Sequence, residues 1–535
     1  MHHAPPKRLN GPALYFLTIS TMVGSSWLFS AMYSAQFAGP AGIISIAIGG
    51  LVIFIIAMVY AEIGGLLPVS GASARIPYAT HGDFAAFTAS LLNWLGYLAV
   101  APLEVMAIIE YLSAFAPMLA HTERGTIALT PLGIATCIPL LFAMVLLNSY
   151  GVKVLARANT PLAVWKLAIP IFTIVVFLLV RFEPSNFTDH GGFAPFGMAG
   201  ILGAVTSGGA ILAFLGFRAT IELAGEAHRP ERTVPLTIFA AMSTTVIIYI
   251  LLSVVFVGAL SEDQLAKGWA SLSDNTGAGP FAQMAIALGL SWFALVLFID
   301  AGVSPGGTAL VSTGIAARLN RAMAQNGHAP ARVARLNRHG VPGPALWVNF
   351  GVALVLLLPF PGWQAMMTLV SSSLVLSLGL GSLSMIALRA QAPDAERRYR
   401  LPAGVAVAAL AFLLANYTVY WAGWNVVRLV VPFAVVGILA LPILARLFGG
   451  AHLKRAEYRA LFWLLPWLLG LLAVSRFGNY GGGTGALPAG VDLLVLAAVA
   501  GVVLMIAHKE RLPADLARAR LDKMRHGGGS EPMVG

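Results

Sequence analysis

A run of about 20 apolar residues leaves a chain few options, because inside a bilayer the backbone must satisfy its own hydrogen bonds, and a helix does so within one segment. This sequence repeats such runs from near residue 12 to near residue 507. Read at that length, they fall near 12–37, 41–66, 84–118, 127–148, 160–180, 197–225, 234–259, 281–317, 343–360, 365–388, 403–420, 423–446, 459–475 and 488–507, fourteen in all, with twelve as the alternative. The last two are the weakest, since the segment around Phe462 is short and interrupted by Pro466. Composition agrees: 10% of the residues are charged, against roughly 25% in a soluble domain. A globular enzyme, a nucleic-acid binder and a disordered chain are thereby excluded, and an all-α polytopic membrane protein is expected.

The formal charge of +11 is a topology signal. With a cytoplasmic N-terminus, 26 Lys and Arg lie in inward loops and tails, among them Lys7, Arg8, Arg75, Arg318, Arg389 and Arg397, and five lie outside, at Arg124, Arg181, Lys267, Arg428 and Arg476. The excess predicts that both termini face the cytoplasm of a cell (inner) membrane. A removable signal peptide is not expected, for no small-residue cleavage pattern follows the first run. Cys137 is the single cysteine, so neither an intrachain disulfide nor a thiolate metal site is available. No cofactor and no metal are expected. The longest polar stretches are too short for an independent core.

Two spans read as interrupted, the first and the sixth. Thr21-Met22-Val23-Gly24-Ser25-Ser26-Trp27 places glycine and small hydroxyl residues near mid-membrane, and Ser207-Gly208-Gly209 followed by Phe214-Leu215-Gly216-Phe217-Arg218 repeats the pattern. Unwound backbone at that depth is tolerated where it lines a cavity, and paired breaks in two halves point to a transporter's binding site. A half-helix beginning after Gly24 would offer the amides of Ser25, Ser26 and Trp27 to a carboxylate. Carbonyls near Met22, Phe214 and Leu215 would accept from an ammonium group. The plainer alternative is that small residues let helices pack closely.

The correspondence divides the chain into a cytoplasmic N-terminus (1–10), a five-helix unit (11–180), an external loop (181–196), a second, inverted five-helix unit (197–390), further spans (402–507) and a cytoplasmic tail (508–535).

Ionisable groups inside spans cost roughly 2.5 to 3.5 kcal/mol on insertion scales and are functional candidates by default. They are Glu62, Glu104, Glu110, Lys166, Arg218, Glu222, Glu226 and Asp300. Arg218 directly follows the second break and either faces the cavity, favouring an anionic side chain, or pairs with Glu222 or Glu226 as a gate. Lys166 sits about seven residues, roughly 10 Å, into its span. It either carries a proton in an apolar pocket or snorkels to the headgroups. Glu104 and Glu110 lie on different faces of one helix, and one could relay protons. Asp300 precedes a run, Gly302 to Thr308, too rich in Gly and Pro for a straight helix. Glu62 and Glu226 read as inner-side ion pairs. Gly302-Val303-Ser304-Pro305-Gly306 matches G-x-S-x-G, yet the strand-turn-helix context of a hydrolase is missing.

The stretches Val23-Gly24-Ser25-Ser26-Trp27-Leu28-Phe29, Tyr60-Ala61-Glu62-Ile63, Pro68 to Arg75, and Gly216-Phe217-Arg218 on to Gly225-Glu226-Ala227-His228-Arg229-Pro230 resemble the amino acid-polyamine-organocation (APC) transporter superfamily. Arg218 and Asp300 to Thr308 are similar to its bacterial branch that includes aspartate:proton symporters, and Arg318 with the Arg321 to Gly327 exit also fits. The resemblance implies a LeuT-like fold of two inverted five-helix repeats with broken first and sixth helices, working by alternating access. It further implies that Val23, Gly24, Ser25 and Ser26 hold the substrate carboxylate and that the backbone near Phe214 and Gly216 holds the amino group. Phe214 or Phe217 would close the site, and Lys166 would couple to protons with Ser304 as a neighbour. Two departures stand out: Ser26 where many relatives have Gly, and Arg218 where many have Glu. The reversed charge at 218 favours an acidic substrate over a cationic one.

The expectation is therefore proton-coupled uptake of aspartate or glutamate, with no enzymatic activity and a possible homodimer. An exchanger, a neutral amino acid permease and a membrane amino acid sensor remain alternatives.

Overall fold

Each apolar run becomes a helix whose ends are set by local chemistry. The computed structural model describes residues 9–68, 72–123, 126–150, 152–273, 279–448 and 453–526. Lys7, Arg8, Arg124 and residues 69–71 of the Pro68 to Arg75 motif lie outside the described residues. In chain order the helices that matter here are α1 (Gly11–Met22), α2 (Ser26–Ala38), α3 (Gly42–Leu66), α4 (Ala72–His81), α5 (Asp83–Leu112), α6 (Pro131–Ser149) and α7 (Val152–Val180). The second group comprises α8 (Gly197–Ser207), α9 (Ala210–Phe214), α10 (Arg218–Glu222), α11 (Pro230–Ala259), α12 (Glu262–Leu265), α13 (Pro280–Ala287), α14 (Ser291–Gln325), α15 (Gly343–Leu356) and α16 (Trp363–Gln391). The last five are α17 (Gly404–Trp421), α18 (Trp424–Leu447), α19 (Leu461–Phe477), α20 (Val491–Lys509) and α21 (Ala514–His526).

Asn10 starts α1 by accepting from the Ala13 amide at 2.9 Å, and Thr130 starts α6 by accepting from Gly133 at 3.1 Å, each satisfying an amide the helix leaves free. Among the described residues, eleven helices are long and apolar enough to cross a membrane, or twelve if the bent pair Gly197–Ser207 and Ala210–Glu222 is one span. Length and composition alone do not reach the fourteen expected runs. Gly343–Leu356 has only 14 residues, and Ser26–Leu66 is a single apolar stretch of 41. Among the described residues the chain is helical apart from one ribbon, β1 (Ala120–Glu123) antiparallel to β2 (Thr126–Leu129).

At the centre stand α5 and α16. α5 packs along α14 and α16, while α3 packs along α11. The apolar window of α16 is entirely buried, although it carries Ser371, Ser372, Ser373, Ser377, Ser382 and Ser384. Small hydroxyl residues let neighbouring backbones approach and find partners across helices. α6 and α20 lie outermost and leave most of their surface outward.

The Gly302 to Thr308 run stays helical, for α14 continues through Pro305 for 35 residues. Proline inside a membrane helix is tolerated where neighbouring side chains compensate for its missing donor, and here Ser304, Thr308 and Asp300 form a polar ladder along that turn. The expected inner-side pair at Glu62 is present: Arg389 lies at 2.6 Å and Arg397 at 3.3 Å, and the Leu401 amide donates to the same carboxylate at 2.7 Å. Glu226 is exposed. Its backbone carbonyl accepts from Leu9 in a short bridge that ties the chain start to the segment after α10.

Candidate substrate and coupling site

The first interruption falls between α1 and α2. Val23 leaves the helix at φ −104°, ψ 91°, and α2 restarts at Ser26. Gly24 lets the chain pass close to two side chains that a larger residue would have to displace, since a Cβ there would sit 2.6 Å from Glu104 Oε1 and 2.9 Å from Thr308 Oγ1. The two helix ends exposed by the break meet opposite charges. On the carbonyl side, Lys166 Nζ donates to Ser20 O at 2.9 Å and to Thr308 Oγ1 at 2.8 Å. On the amide side, the Ser25 N–H donates to Glu104 Oε2 at 2.8 Å. A cation on a helix C-terminus and an anion on an N-terminus are both favoured by the peptide dipoles. Lys166 and Glu104 therefore stabilise a break that would otherwise leave unpaired backbone in the membrane interior.

Beside this pair, Asp300 on α14 gathers three donors. Trp165 Nε1 reaches it at 2.7 Å, Ser304 Oγ at 2.6 Å and Trp27 Nε1 at 3.1 Å. One carboxylate thus joins α7, α14 and α2, and its charge acts on Lys166 together with that of Glu104. Ser304 serves Asp300 and does not contact Lys166 directly.

The second interruption follows the same logic with different means. Gly209 turns the chain at φ +92°, and α8 and the following segment bend by 44°. Gly216 is pressed onto the first break: a Cβ there would lie 2.7 Å from Met22 N, and Thr21 Oγ1 donates to the Gly216 carbonyl at 3.0 Å. Thr18 and Thr220 hydroxyls meet at 2.6 Å, so the two broken segments are stitched to each other. Phe214 packs on Tyr249, with ring centroids 5.6 Å apart, and Phe217 packs on Tyr60 at 6.1 Å.

Between the breaks lies a small cavity of about 40 Å³, room for a few water molecules. Gly24, Ser26, Glu104 and Gly216 line it, together with Tyr97 and Thr308. Val23, Ser25, Phe214, Phe217, Lys166 and Arg218 are buried one layer behind. Ser25 Oγ accepts from Trp363 Nε1 at 2.6 Å, and the Trp363 amide donates to Glu110 at 2.7 Å. Phe29, Tyr33 and Trp363 stack above, at 4.9 and 5.7 Å between centroids.

Arg218 touches Asn93, Ser377 and the Leu374 carbonyl. Among the described residues it makes no ion pair with Glu222 or Glu226. Glu222 is half-buried one turn further on, and Arg318 on α14 feels the charge of Glu226 without closing to ion-pair distance.

Thr308, Tyr97, Asn93, Ser377 and Trp363 were not singled out from sequence. Thr308 at least ended a stretch already marked by its Gly and Pro content. Asn93 and Ser377 are uncharged polar residues among several others in their helices, and nothing local distinguishes them.

A family model described as amino acid permease matches residues 9–445. The chain is 33% identical over 510 residues to the glutamate/serine transporter AimA of Bacillus subtilis (strain 168), covering 94% of each chain. It is 32% identical over 486 residues to the aspartate-proton symporter of the same organism, covering 90% of this chain and 92% of the other. The branched-chain amino acid permease BcaP, also from that organism, is 26% identical over 431 residues, covering 78% of this chain and 89% of the other.

Proposed function

This chain belongs to the amino acid permease family, and from that premise we propose that it is a secondary active transporter taking up an acidic amino acid, aspartate or glutamate, together with protons. The observation that carries the reading is the clamped break of α1 and α2, with Lys166 on the Ser20 carbonyl and Glu104 on the Ser25 amide. An amide at a helix start that already holds one carboxylate is suited to hold another, that of a substrate. Two carboxylates cannot share that amide while both are charged. A proton must therefore enter with the substrate, and Glu104 is the group placed to take it, while Lys166, an ammonium ion in this clamp, exchanges a proton only after giving one up.

In this reading Val23 to Ser26 receive the substrate carboxylate, and carbonyls around Phe214 and Gly216 receive its amino group. Phe214 and Phe217 support closure, while Glu222, Glu226 and Arg318 serve at the inner gate. The architecture proposed is LeuT-like: fourteen spans, two inverted five-helix repeats and alternating access, in the cell membrane with both termini cytoplasmic. The names of two relatives, an aspartate-proton symporter and a glutamate/serine transporter, support both the acidic substrate and the proton. The position of Arg218 behind Tyr97 favours a second reading, in which neutral amino acids such as serine also pass.

The test is uptake of labelled aspartate, glutamate and serine into proteoliposomes, with and without an inward proton gradient. Accumulation of an acidic amino acid that rises with the gradient supports the proposal. Uptake of serine alone overturns the acidic reading, and gradient-independent exchange overturns proton coupling.

A further inference from the structure

Arg218 is 2% exposed, and a guanidinium keeps its charge in any protein environment. A buried charge normally has a charged partner, yet its holders here are neutral. One terminal nitrogen donates to Ser377 Oγ at 3.2 Å and to the Leu374 carbonyl at 3.3 Å, and the other donates to Asn93 Oδ1. The Nε donor has no acceptor among the described residues. Ser377 Oγ also donates to Asn93 Oδ1, at 2.5 Å, so a single amide oxygen takes both. Asn93 in turn donates to Ser73 at 3.1 Å, and Ser73 hydrogen-bonds the Glu222 carboxylate. A relay of neutral side chains thus stands between the guanidinium and the acid on its own helix.

On its other side Arg218 adjoins the cavity. Tyr97 and Leu374 both line that space, and both touch Arg218: its Cζ lies 5.3 Å from the Tyr97 ring centroid. One side chain's thickness separates an unpaired cation from the substrate. We propose that Arg218, Asn93, Ser377 and Tyr97 form a latched subsite for the side-chain carboxylate of an acidic amino acid. Asn93 and Ser377 hold the guanidinium back, and a carboxylate reaching past Tyr97 takes their place. The inference rests on the acidic-substrate reading above.

Charge sets the competition. A carboxylate can accept two N–H bonds from the guanidinium fork and carries the missing charge, so it displaces an amide and a hydroxyl. A neutral substrate offers nothing better than Asn93 and leaves the latch closed, so one cavity serves both kinds. Asparagine at 93 is the feature that makes release possible, because an aspartate there would pair with Arg218 permanently.

The experiment uses the full-length protein in proteoliposomes, with labelled glutamate and serine as paired probes for wild type, Asn93→Asp and Ser377→Ala. In Asn93→Asp the ratio of glutamate to serine uptake falls roughly tenfold or more, since the internal carboxylate occupies the subsite. In Ser377→Ala, which loosens the latch, the glutamate KM falls relative to that of serine by about two- to fivefold. A purely structural role would move both substrates together. Equal ratios in wild type and both variants overturn the latch, and where Asn93→Asp does not fold, the KM ratio of Ser377→Ala decides. Wild type that carries serine but no acidic amino acid overturns the underlying reading. Wild type that carries glutamate with ratios indifferent to both changes overturns only the subsite.

Discussion

The cavity has two charged flanks, built on opposite plans. On the α7 side, Lys166 faces Glu104 and Asp300, and every one of these groups also holds backbone or side chains of the broken first span. On the α10 side, the equally buried Arg218 is held by an amide, a hydroxyl and a carbonyl. On the first flank every charged group already has hydrogen-bond partners and lies under the influence of an opposite charge, so it must be disturbed for a substrate to bind. On the second, the cation has neutral partners only and can gain a charged one from outside. Opposite charges gathered in one place suit coupling, which requires exchange of partners, whereas a cation held by neutral groups suits selection.

The contrast is broken most severely by removing Lys166. In Lys166→Ala the Ser20 carbonyl and Thr308 lose their donor and Glu104 loses its counter-charge. Each buried hydrogen bond from a charged group is worth about 1.5–3 kcal/mol, and Lys166 makes two. Gradient-driven uptake in proteoliposomes should fall by roughly two orders of magnitude or more, at 1.4 kcal/mol per tenfold. Uptake within a fewfold of wild type would show that the clamp on α1 is dispensable.

Gly24→Ala tests the same flank through shape alone. The new methyl would lie 2.6 Å from Glu104 Oε1 and 2.9 Å from Thr308 Oγ1, closer than real contacts permit. Relief requires Glu104 to leave the Ser25 amide, at a cost of about 1–3 kcal/mol for an overpacked core position. The expected result is a KM raised by roughly tenfold or more, read from concentration-dependent uptake. An unaltered KM would mean that the carboxylate of Glu104 plays no part in shaping the site.

Glu104→Gln sharpens the comparison more gently. An amide can still accept from Ser25 N–H, so the break keeps its hydrogen bond but loses the charge and the proton that goes with it. The ratio of uptake with a proton gradient to uptake without one should fall towards about one, the limit in which the coupling free energy between proton and substrate vanishes. A ratio equal to wild type would move the coupling proton to Lys166 alone.

How much of this was legible beforehand follows the physics of each signal. The spans were readable because lipid demands about 20 apolar residues in sequence, and the two breaks because Gly24 and Gly209 sit where such a run should be uninterrupted. Lys166, Glu104 and Arg218 stood out because charge in a membrane helix is expensive. Their partners did not stand out. Asn93 and Ser377 reach Arg218 across 125 and 159 residues of sequence, and Trp363 reaches Ser25 across 338. Long-range partners of ordinary residue type leave no local pattern. At Gly302 to Thr308, glycine and proline content describes the chain's own preference, whereas α14 stays helical through that turn.

Ser304 separates a positioning role from a chemical one with the smallest effect of the series. Its hydroxyl donates to Asp300 at 2.6 Å, and Asp300 retains the Trp165 and Trp27 indoles without it. Ser304→Ala removes one of three donors to a carboxylate, worth about 1.5–3 kcal/mol at most for a charged acceptor. Part of that is recovered if the remaining donors tighten. If Ser304 acts only through Asp300, uptake falls by less than roughly tenfold, glutamate and serine fall together, and the response to a proton gradient keeps its form. Loss of the gradient response in Ser304→Ala would instead place this hydroxyl in the proton path between Asp300 and Lys166. The first flank would then be a relay rather than a clamp.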